Sequence, residues 1–394
     1  MKLFAKRAYL DWAAAAPVAR PARRAYARAL AAYGNPSSPH QEGRDARRAL
    51  ERARVAIARL LEMKADDIVF TSGATESNAL AIAGVLRAAG PAPHALYLPS
   101  AHASVTETMR AQARAGAAVE PLSIKDGRVD IEALAARLRP ETVLVSMDLI
   151  CGETGTRWNV RDVRRALDEA RSAPGAARIY LHVDASQASF VESLERTRLG
   201  ADLITLDAQK AGGVRGIGVL AAPRAIALAP LMQGGGQERA VRPGTPSPAH
   251  AAAFAAALAA AHAGRAAFRA RAAASRARLI ARLAGEEGGS FVPGALVNEG
   301  ADAAPHILNI ALPGRDTDYL VALLDEAGFA VSTRSACETD SEDGSRAVFA
   351  LTGDRERAAA TLRISWGPGT APRALDRFAD ALHRAAAFMD APVR

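Results

Sequence analysis

Short apolar segments alternate with longer segments in which apolar residues recur every three or four positions, over roughly the first 220 residues. The short segments are nearly continuous runs of aliphatic residues, which is typical of strands buried on both faces of a parallel sheet. They are DIVF at 67–70, HALYL at 94–98, TVLVSMDLI at 142–150, RIYLHV at 178–183, ADLITL at 201–206 and GIGVL at 216–220. The pattern predicts an α/β fold, with a large domain of mostly parallel sheet flanked by helices.

The pattern changes at the glycine- and proline-rich stretch GGGQERAVRPGTPSPAH, residues 234–250. A long alanine-rich helix follows, and the remaining segments alternate as strand, helix and strand before a final helix. This predicts a smaller α+β domain. We place the large domain at residues 12–250 and the small C-terminal domain at 251–394, together with 1–11.

Composition narrows the possible functions. The chain has 394 residues, of which 49% are hydrophobic, and a net charge of +8. We expect a soluble protein that binds no nucleic acid, because the arginines are scattered over helices and form no basic tail. We also expect no membrane span, since no apolar run is long enough to cross a bilayer, and no secretory signal, since MKLFAKRAYLDW lacks an apolar core. The two cysteines, Cys151 and Cys337, cannot form a disulfide framework, so we expect a cytoplasmic protein.

Lysine is scarce in this chain, and one lysine stands where a strand ends. Only five of the 50 basic residues are lysines, and Lys210 follows the apolar run at 201–206. Arginine can replace lysine wherever only charge is needed. It cannot replace an amine that must lose its proton and attack a carbonyl, because guanidinium stays protonated. Lys210 is therefore a candidate nucleophile, with a surface lysine as the alternative.

Other polar residues follow the remaining predicted strands, where ligands of open α/β sheets bind. TSGATE at 71–76 opens a helix with free N–H groups that suit a phosphate. His102 begins another helix, and Asp184 and Gln187 follow the strand at 178–183. With Lys210, these are the parts of a pyridoxal phosphate site: an amine, a carboxylate for the ring nitrogen, a ring that stacks and a phosphate cradle. We predict no metal site.

The sequence resembles the class V, fold-type I pyridoxal phosphate-dependent transferases, and within them the cysteine desulfurases. The segments that carry the resemblance are YLDWAAAAP, YGNPSSPH, IVFTSGATESNALAI, YLHVDASQ, RGIGVL, GGGQERAVRPGT, APHILNI, VSTRSAC and LRISWG, from about residue 9 to 370. TSGATE and HVDASQ are specific to the family, and RSAC points to desulfurases. The resemblance implies a large cofactor-binding domain, a small domain that carries the catalytic cysteine, and a homodimer.

The resemblance also implies roles for individual residues, which are expectations here. The cofactor would bind covalently to Lys210, with Asp184 at the ring nitrogen, Gln187 near the ring hydroxyl and His102 stacked on the ring. The other implied cofactor contacts are Ala74 and Thr75 at the phosphate, Gln209 beside the lysine, and Thr245 at the phosphate of the partner subunit. Asn35 and Arg363 would bind the substrate carboxylate.

Cys337 is the predicted sulfur acceptor. Its flanks, TRSA and ETDSEDGS, are polar, whereas Cys151 ends an apolar run and fits a small buried residue. A thiol on a polar loop can attack the sulfur of a bound cysteine and carry the persulfide to an acceptor. Arg334 would favour the thiolate, and the acidic residues after Cys337 would oppose it.

Four positions depart from the family pattern. Gln209 stands where desulfurases have histidine, and Asp207 stands where they have a phosphate-binding serine. Gly152 replaces a residue that contacts the ring hydroxyl, and Thr333-Arg334 replaces serine-glycine. A carboxylate beside a phosphate is repulsive unless an arginine intervenes or the side chain points away.

Three functions remain open from the sequence. The first is a cysteine desulfurase that converts L-cysteine to L-alanine and passes sulfur to an acceptor for iron–sulfur, thiocofactor or tRNA chemistry. The second is another class V enzyme, an aminotransferase or a selenocysteine lyase, which Gln209 and Gly152 favour. The third is a non-catalytic partner protein, which Asp207 favours.

Overall fold

The computed structural model describes residues 7–171, 178–285, 291–333 and 344–391. Their strands are β1 Ala8–Tyr9, β2 Ile68–Thr71, β3 His94–Tyr97, β4 Ala118–Pro121, β5 Ile124–Lys125, β6 Arg128–Val129, β7 Thr142–Asp148, β8 Tyr180–Asp184, β9 Leu203–Asp207, β10 Gly218–Ala221, β11 Leu296–Val297, β12 Ile307–Ala311, β13 Phe329–Ala330 and β14 Thr361–Ser365. Their α-helices are α1 Arg20–Ala29, α2 Gln41–Leu61, α3 Ala74–Ala88, α4 Ala103–Arg114, α5 Ile131–Arg137, α6 Val160–Ala170, α7 Arg196–Leu199, α8 Pro248–Ala284, α9 Thr317–Glu326, α10 Arg346–Thr352, α11 Arg355–Ala359 and α12 Pro372–Asp390.

The chain divides into two compact units. The larger unit contains residues 16–150 and 158–263, and the smaller contains 1–15, 151–157 and 264–394. The division falls inside α8, after Ala263, whereas the sequence pattern places it near residue 250. The segment 151–157, which follows β7, belongs to the smaller unit.

A seven-stranded sheet forms the centre of the larger unit, in the order β2-β10-β9-β8-β7-β3-β4. β10 pairs antiparallel with both of its neighbours, and the pairs from β9 to β4 are parallel. The strands β2, β9 and β10 are buried at every position, as their continuous apolar runs predict. The carboxyl ends of β2, β3, β8 and β9 therefore lie at one edge of the sheet, and the predicted cofactor residues follow these ends.

The smaller unit contains a three-stranded antiparallel sheet, β11-β12-β14, and the parallel pair β1-β13. Helix α12 is amphipathic and buries eight residues on one face, among them Phe378 and Leu382. Phe378 packs edge-on against Phe329 of β13, with the ring centroids 5.7 Å apart.

Helix α8 corrects one expectation about membranes. Among the described residues it is the one helix that is long and apolar enough to cross a bilayer, by length and composition alone. The expectation that no run has this length and composition is therefore wrong. The helix is rich in alanine and partly buried, and core helices of soluble proteins can have the same length and composition.

Candidate functional site

Asp184 ends β8 as a buried carboxylate whose two oxygens are both held by donors. Asn78 Nδ2 of α3 donates to its Oδ2 at 2.7 Å, and the Ser186 backbone N–H donates to its Oδ1 at 2.9 Å. The residue is 7% exposed. A buried carboxylate is costly unless it is hydrogen-bonded and faces a cation. Its orientation and burial fit a partner for a protonated ring nitrogen.

A chain of hydrogen bonds links Asp184 to His102. The same Asn78 Nδ2 that donates to Asp184 also donates to Ser104 Oγ at 2.9 Å, and Ser104 Oγ lies 2.9 Å from His102 Nδ1. The Ser104 backbone N–H lies 3.1 Å from the same ring nitrogen, which caps α4. His102 Nδ1 therefore acts as an acceptor, and its exposed ring is held in one orientation.

Asn78 and Ser104 contact two predicted site residues, Asp184 and His102, and neither was predicted from the sequence. A signal for Asn78 was present, because it lies four residues after Ala74 and hence on the same face of α3. Ser104 was hidden in an ordinary helix start, where a serine needs no other explanation than capping.

A second histidine, His182, lies within the sheet two residues before Asp184. Its Nδ1 is 2.8 Å from Ser146 Oγ of β7, and its Nε2 is 3.0 Å from Thr205 Oγ1 of β9. Complete burial lowers the pKa of His182 to about 4, although Asp184 opposes the shift. His182 is therefore neutral at physiological pH.

Lys210 lies in the tight turn that follows β9. It ends a 3-10 helix at Ala208–Lys210, and the turn is pinned because the Ala16 N–H donates to the Gln209 carbonyl at 2.9 Å. A Cβ on Gly213 would lie 2.9 Å from Ala208, so this turn requires glycine there. Lys210 is half-buried, as a lysine that must reach a ligand should be.

The start of α3 is packed closely against β10. A Cβ on Gly218 would lie 2.5 Å from the backbone carbon of Gly73, so glycine is needed for this approach. The Ala74 N–H, which the family resemblance assigns to the phosphate, donates to Asp207 Oδ2 at 3.1 Å. The Ser72 N–H donates to Glu76 Oε2 at 2.6 Å, and Glu76 pairs with Arg242.

Asp207 therefore points toward the phosphate cradle and not away from it. Burial raises the pKa of its carboxyl, and Asp184 adds to the shift, whereas the N–H donors and Lys210 oppose it. Asp184, Asp207 and Lys210 all lie at or just after the carboxyl ends of the neighbouring parallel strands β8 and β9. The amine, the oriented carboxylate and the glycine-lined helix start fit pyridoxal phosphate in their chemistry, with Asp207 as the exception at the phosphate end.

The remaining predicted residues of the larger unit lie in turns. Gln187 is half-buried in the turn after β8, and Thr75 is in the first turn of α3. Thr245 is exposed in the loop that also carries Arg242. Asn35 is exposed between α1 and α2, where its Oδ1 accepts from the Ser37 N–H at 2.9 Å.

Arg363 lies on β14 in the smaller unit and is 4% exposed. Its Nη2 pairs with Asp11 Oδ1 at 2.8 Å, and its Nη1 donates to the Gly152 carbonyl at 3.1 Å. Its Nε is buried and has no hydrogen-bond partner among the residues that the structure describes. A guanidinium with an unused buried donor suits a carboxylate ligand.

Cys337 and Arg334 lie outside the described residues. The chain on either side of them is anchored within the smaller unit. Thr361 Oγ1 donates to the Thr333 carbonyl, and Ser345 Oγ donates to Glu153 Oε2 at 2.5 Å. Cys151 is buried, which confirms its interpretation as a small core residue.

The chain is similar to a known protein family, to curated proteins and to solved structures. The family Aminotransferase class-V matches residues 8–378. A cysteine desulfurase of Archaeoglobus fulgidus, IscS 1, is 31% identical over 89% of this chain and 89% of its own length. The selenocysteine lyase of Rattus norvegicus is 28% identical over 98% of this chain and 96% of its own. A solved NifS-like protein aligns with a TM-score of 0.88 at 26% identity, over 97% of this chain and 100% of that one.

Proposed function

The chain belongs to the class-V aminotransferase family, and we propose that it is a pyridoxal phosphate-dependent cysteine desulfurase. It converts L-cysteine to L-alanine and leaves the sulfur as a persulfide on Cys337. The observation that carries the proposal is the oriented, buried Asp184 carboxylate at the end of β8, beside the strand β9 that leads into the turn of Lys210, in a chain whose relatives include cysteine desulfurases. When bound, the cofactor withdraws electrons from the substrate through its protonated ring.

The proposal assigns a task to each residue that holds the cofactor. Lys210 Nζ would hold the cofactor covalently, and Asp184 would keep the ring nitrogen protonated. Asn78 keeps the Asp184 carboxylate in place and, through Ser104, fixes the ring of His102. Because His102 Nδ1 accepts a hydrogen bond from the Ser104 N–H, the proton of the neutral ring is on Nε2, where it can be donated in a hydrogen bond to a bound group.

Arg363 binds the substrate carboxylate in this proposal. It is held by Asp11 and Gly152, and its buried Nε is available for a further acceptor. The remaining roles are those that the family resemblance implies. Asn35 also binds the substrate carboxylate, and the other cofactor contacts are Gln187, Gln209, Ala74 and Thr75.

The sulfur transfer balances without an added oxidant or reductant. The Cys337 thiolate attacks the substrate sulfur, so an S–S bond forms and the substrate carbon–sulfur bond breaks. The electron pair of the broken bond stays on carbon, which takes up a proton and becomes the methyl group of alanine. The persulfide then passes to an acceptor protein, which completes the cycle.

Two further features belong to the proposal. The enzyme is a homodimer, in which Thr245 reaches the phosphate of the partner subunit, and it works in the cytoplasm with a sulfur-acceptor protein. Neither a membrane nor a nucleic acid takes part directly. Thr245 is exposed on a loop anchored by Arg242, as a residue that contacts a partner must be.

Selenocysteine lyase is the second candidate, and the likeness to the rat enzyme favours it. The two activities are separated by supplying L-cysteine and L-selenocysteine to the same cofactor-loaded protein. With a thiol reductant present to release the persulfide sulfur, alanine formed from cysteine in equal amount with sulfide supports the desulfurase. Alanine formed from selenocysteine alone supports the lyase.

The test of the main proposal supplies L-cysteine and a thiol reductant, which releases the persulfide sulfur as sulfide, and compares the alanine and sulfide formed by wild type, Cys337→Ala and Cys151→Ala. We expect wild type and Cys151→Ala to form both products, and Cys337→Ala to form neither. Equal activity in wild type and Cys337→Ala contradicts the persulfide mechanism. An inert wild type that binds the cofactor supports the non-catalytic alternative.

A further inference from the structure

The carboxylate of Asp207 occupies a hydrogen-bond donor at the start of α3. Its Oδ2 accepts from the Ala74 N–H at 3.1 Å and its Oδ1 from the Gln209 N–H at 2.9 Å. The same Oδ2 would lie 3.5 Å from a Cβ built on Gly73. The side chain is 7% exposed, so solvent screens its charge only weakly.

A helix start of this kind binds anions through its free N–H groups. Here one of those groups, the Ala74 N–H, already donates to the carboxylate of Asp207. A phosphate bound at Ala74 would add a second negative charge to the same donor, at a buried position where charge repulsion is strong.

A neighbouring carboxylate, Glu76, provides a contrast on the same helix. Glu76 accepts from the Ser72 N–H and pairs with Arg242 at 2.9 Å. Burial opposes ionisation, but Arg242 and Ser72 together lower the pKa of Glu76. Glu76 therefore stays charged at neutral pH and is compensated by an arginine.

Asp207, unlike Glu76, forms no ion pair with an arginine among the described residues. The charged groups that face it are Lys210 from the turn after β9 and Asp184 from β8, and they act in opposite directions. The strand β10 places Gly218 opposite Asp207, and β2 ends in Thr71 beside Gly218, so neither contributes a charge there.

We infer that Asp207 is a specificity residue for the cofactor's phosphate: the phosphate binds at the start of α3 together with one proton that Asp207 takes up from solvent. This inference rests on the proposed position of the phosphate at Ala74. As a carboxylic acid, Asp207 carries no charge and can donate a hydrogen bond to a phosphate oxygen. The site therefore binds a phosphate dianion only when the Asp207 carboxyl is protonated.

The sign of the pH effect follows from linkage. Burial already raises the pKa of the Asp207 carboxyl, and a phosphate dianion nearby raises it further. Because the cofactor-bound form holds more protons than the free form, affinity for the phosphate falls as pH rises. A serine or asparagine at this position has no such proton and gives no such dependence.

The experiment measures the dissociation constants of pyridoxal phosphate and of pyridoxal, which lacks the phosphate, between about pH 7 and pH 9, where a phosphate monoester is already a dianion. Their ratio isolates the phosphate, since both ligands react with Lys210 alike. The proteins are wild type, Asp207→Ser, Asp207→Asn and, as a matched control, Glu76→Gln. Thermal unfolding of each free protein checks that it folds.

We expect the wild-type preference for the phosphate to fall with pH by up to about tenfold per unit, the limit for one coupled proton. Asp207→Ser and Asp207→Asn give a flat ratio and bind pyridoxal phosphate more tightly than wild type at the highest pH. Glu76→Gln changes affinity without changing the slope. A wild-type ratio independent of pH, or weaker phosphate binding in both Asp207 variants, overturns the inference.

This outcome is separate from the desulfurase activity. If the ratio of the two dissociation constants does not change with pH in the wild type, and the wild type still forms alanine and a persulfide, only the role of Asp207 is wrong. If no variant binds pyridoxal phosphate, both the inference and the cofactor site are wrong.

Discussion

Asn78 Nδ2 donates to Asp184 Oδ2 at 2.7 Å and so joins helix α3 to the carboxyl end of β8. The same nitrogen donates to Ser104 Oγ, which contacts the ring of His102. One amide therefore positions the proposed partner of the ring nitrogen and, through a serine, the proposed stacking residue. The helix that starts at the phosphate cradle also orients the other end of the site.

Replacing Asn78 by alanine should weaken both the fold and cofactor binding. The buried Asp184 carboxylate loses a donor, and a hydrogen bond to a charged group contributes about 1.5–3 kcal/mol. We expect a loss of that size in the free energy of unfolding, measured with urea, and a higher dissociation constant for pyridoxal phosphate.

The matched control is Asn159→Ala, because both hydrogen bonds of the Asn159 side chain go to the backbone of Val129, which is not a predicted cofactor residue. This variant should lose stability and keep its cofactor affinity. If Asn78→Ala binds the cofactor as wild type does, the positioning role is wrong.

The smaller unit should lose stability in acid because of His306. Its complete burial lowers the pKa to about 4, and its ring packs edge-on against Phe268 at 6.0 Å. Between pH 4 and the ordinary histidine pKa near 6.5, the unfolded state binds a proton that the folded state does not. The contribution of His306 to the free energy of unfolding is therefore fully present above about pH 6.5 and is lost as the pH falls toward 4.

The variant His306→Phe keeps the ring contact and removes the titration. We expect the wild-type free energy of unfolding to fall by up to about 3 kcal/mol more than that of the variant across this range. Parallel pH profiles for the two proteins would show that His306 is not the cause.

Gly218→Ala should disturb the phosphate cradle. The added Cβ would lie 2.5 Å from the backbone carbon of Gly73, so the β2–α3 turn must move. Overpacking of this kind costs about 1–3 kcal/mol. We expect lower stability and weaker binding of pyridoxal phosphate, with pyridoxal less affected.

Gly264 offers the control for this substitution. It lies inside α8 with no atom within 4 Å of a built Cβ, so Gly264→Ala should stabilise the protein by about 0.5–1 kcal/mol. Unchanged cofactor binding in Gly218→Ala would mean that the cradle does not depend on this close approach.

The sequence predicted the α/β class, the buried strands and the chemistry at their ends, because each of these follows from local pattern. The run at 201–206 predicted β9, and the residues after it predicted the turn of Lys210. The sequence could not predict the hydrogen bonds through which Asn78 and Ser104 connect Asp184 to His102, because these bonds depend on how α3 and α4 pack on the sheet. Nor could it decide where the Asp207 side chain points, because that direction depends on the start of α3.

The central claim is that sulfur from cysteine arrives on Cys337, and mass spectrometry of the protein after a single turnover tests it most directly. Cofactor-loaded wild type is mixed with one equivalent of L-cysteine, quenched with an alkylating reagent and digested. We predict one added sulfur atom on the peptide that contains Cys337 and none on the peptide that contains Cys151, with one alanine released. Alanine release with both peptides unmodified would contradict the account.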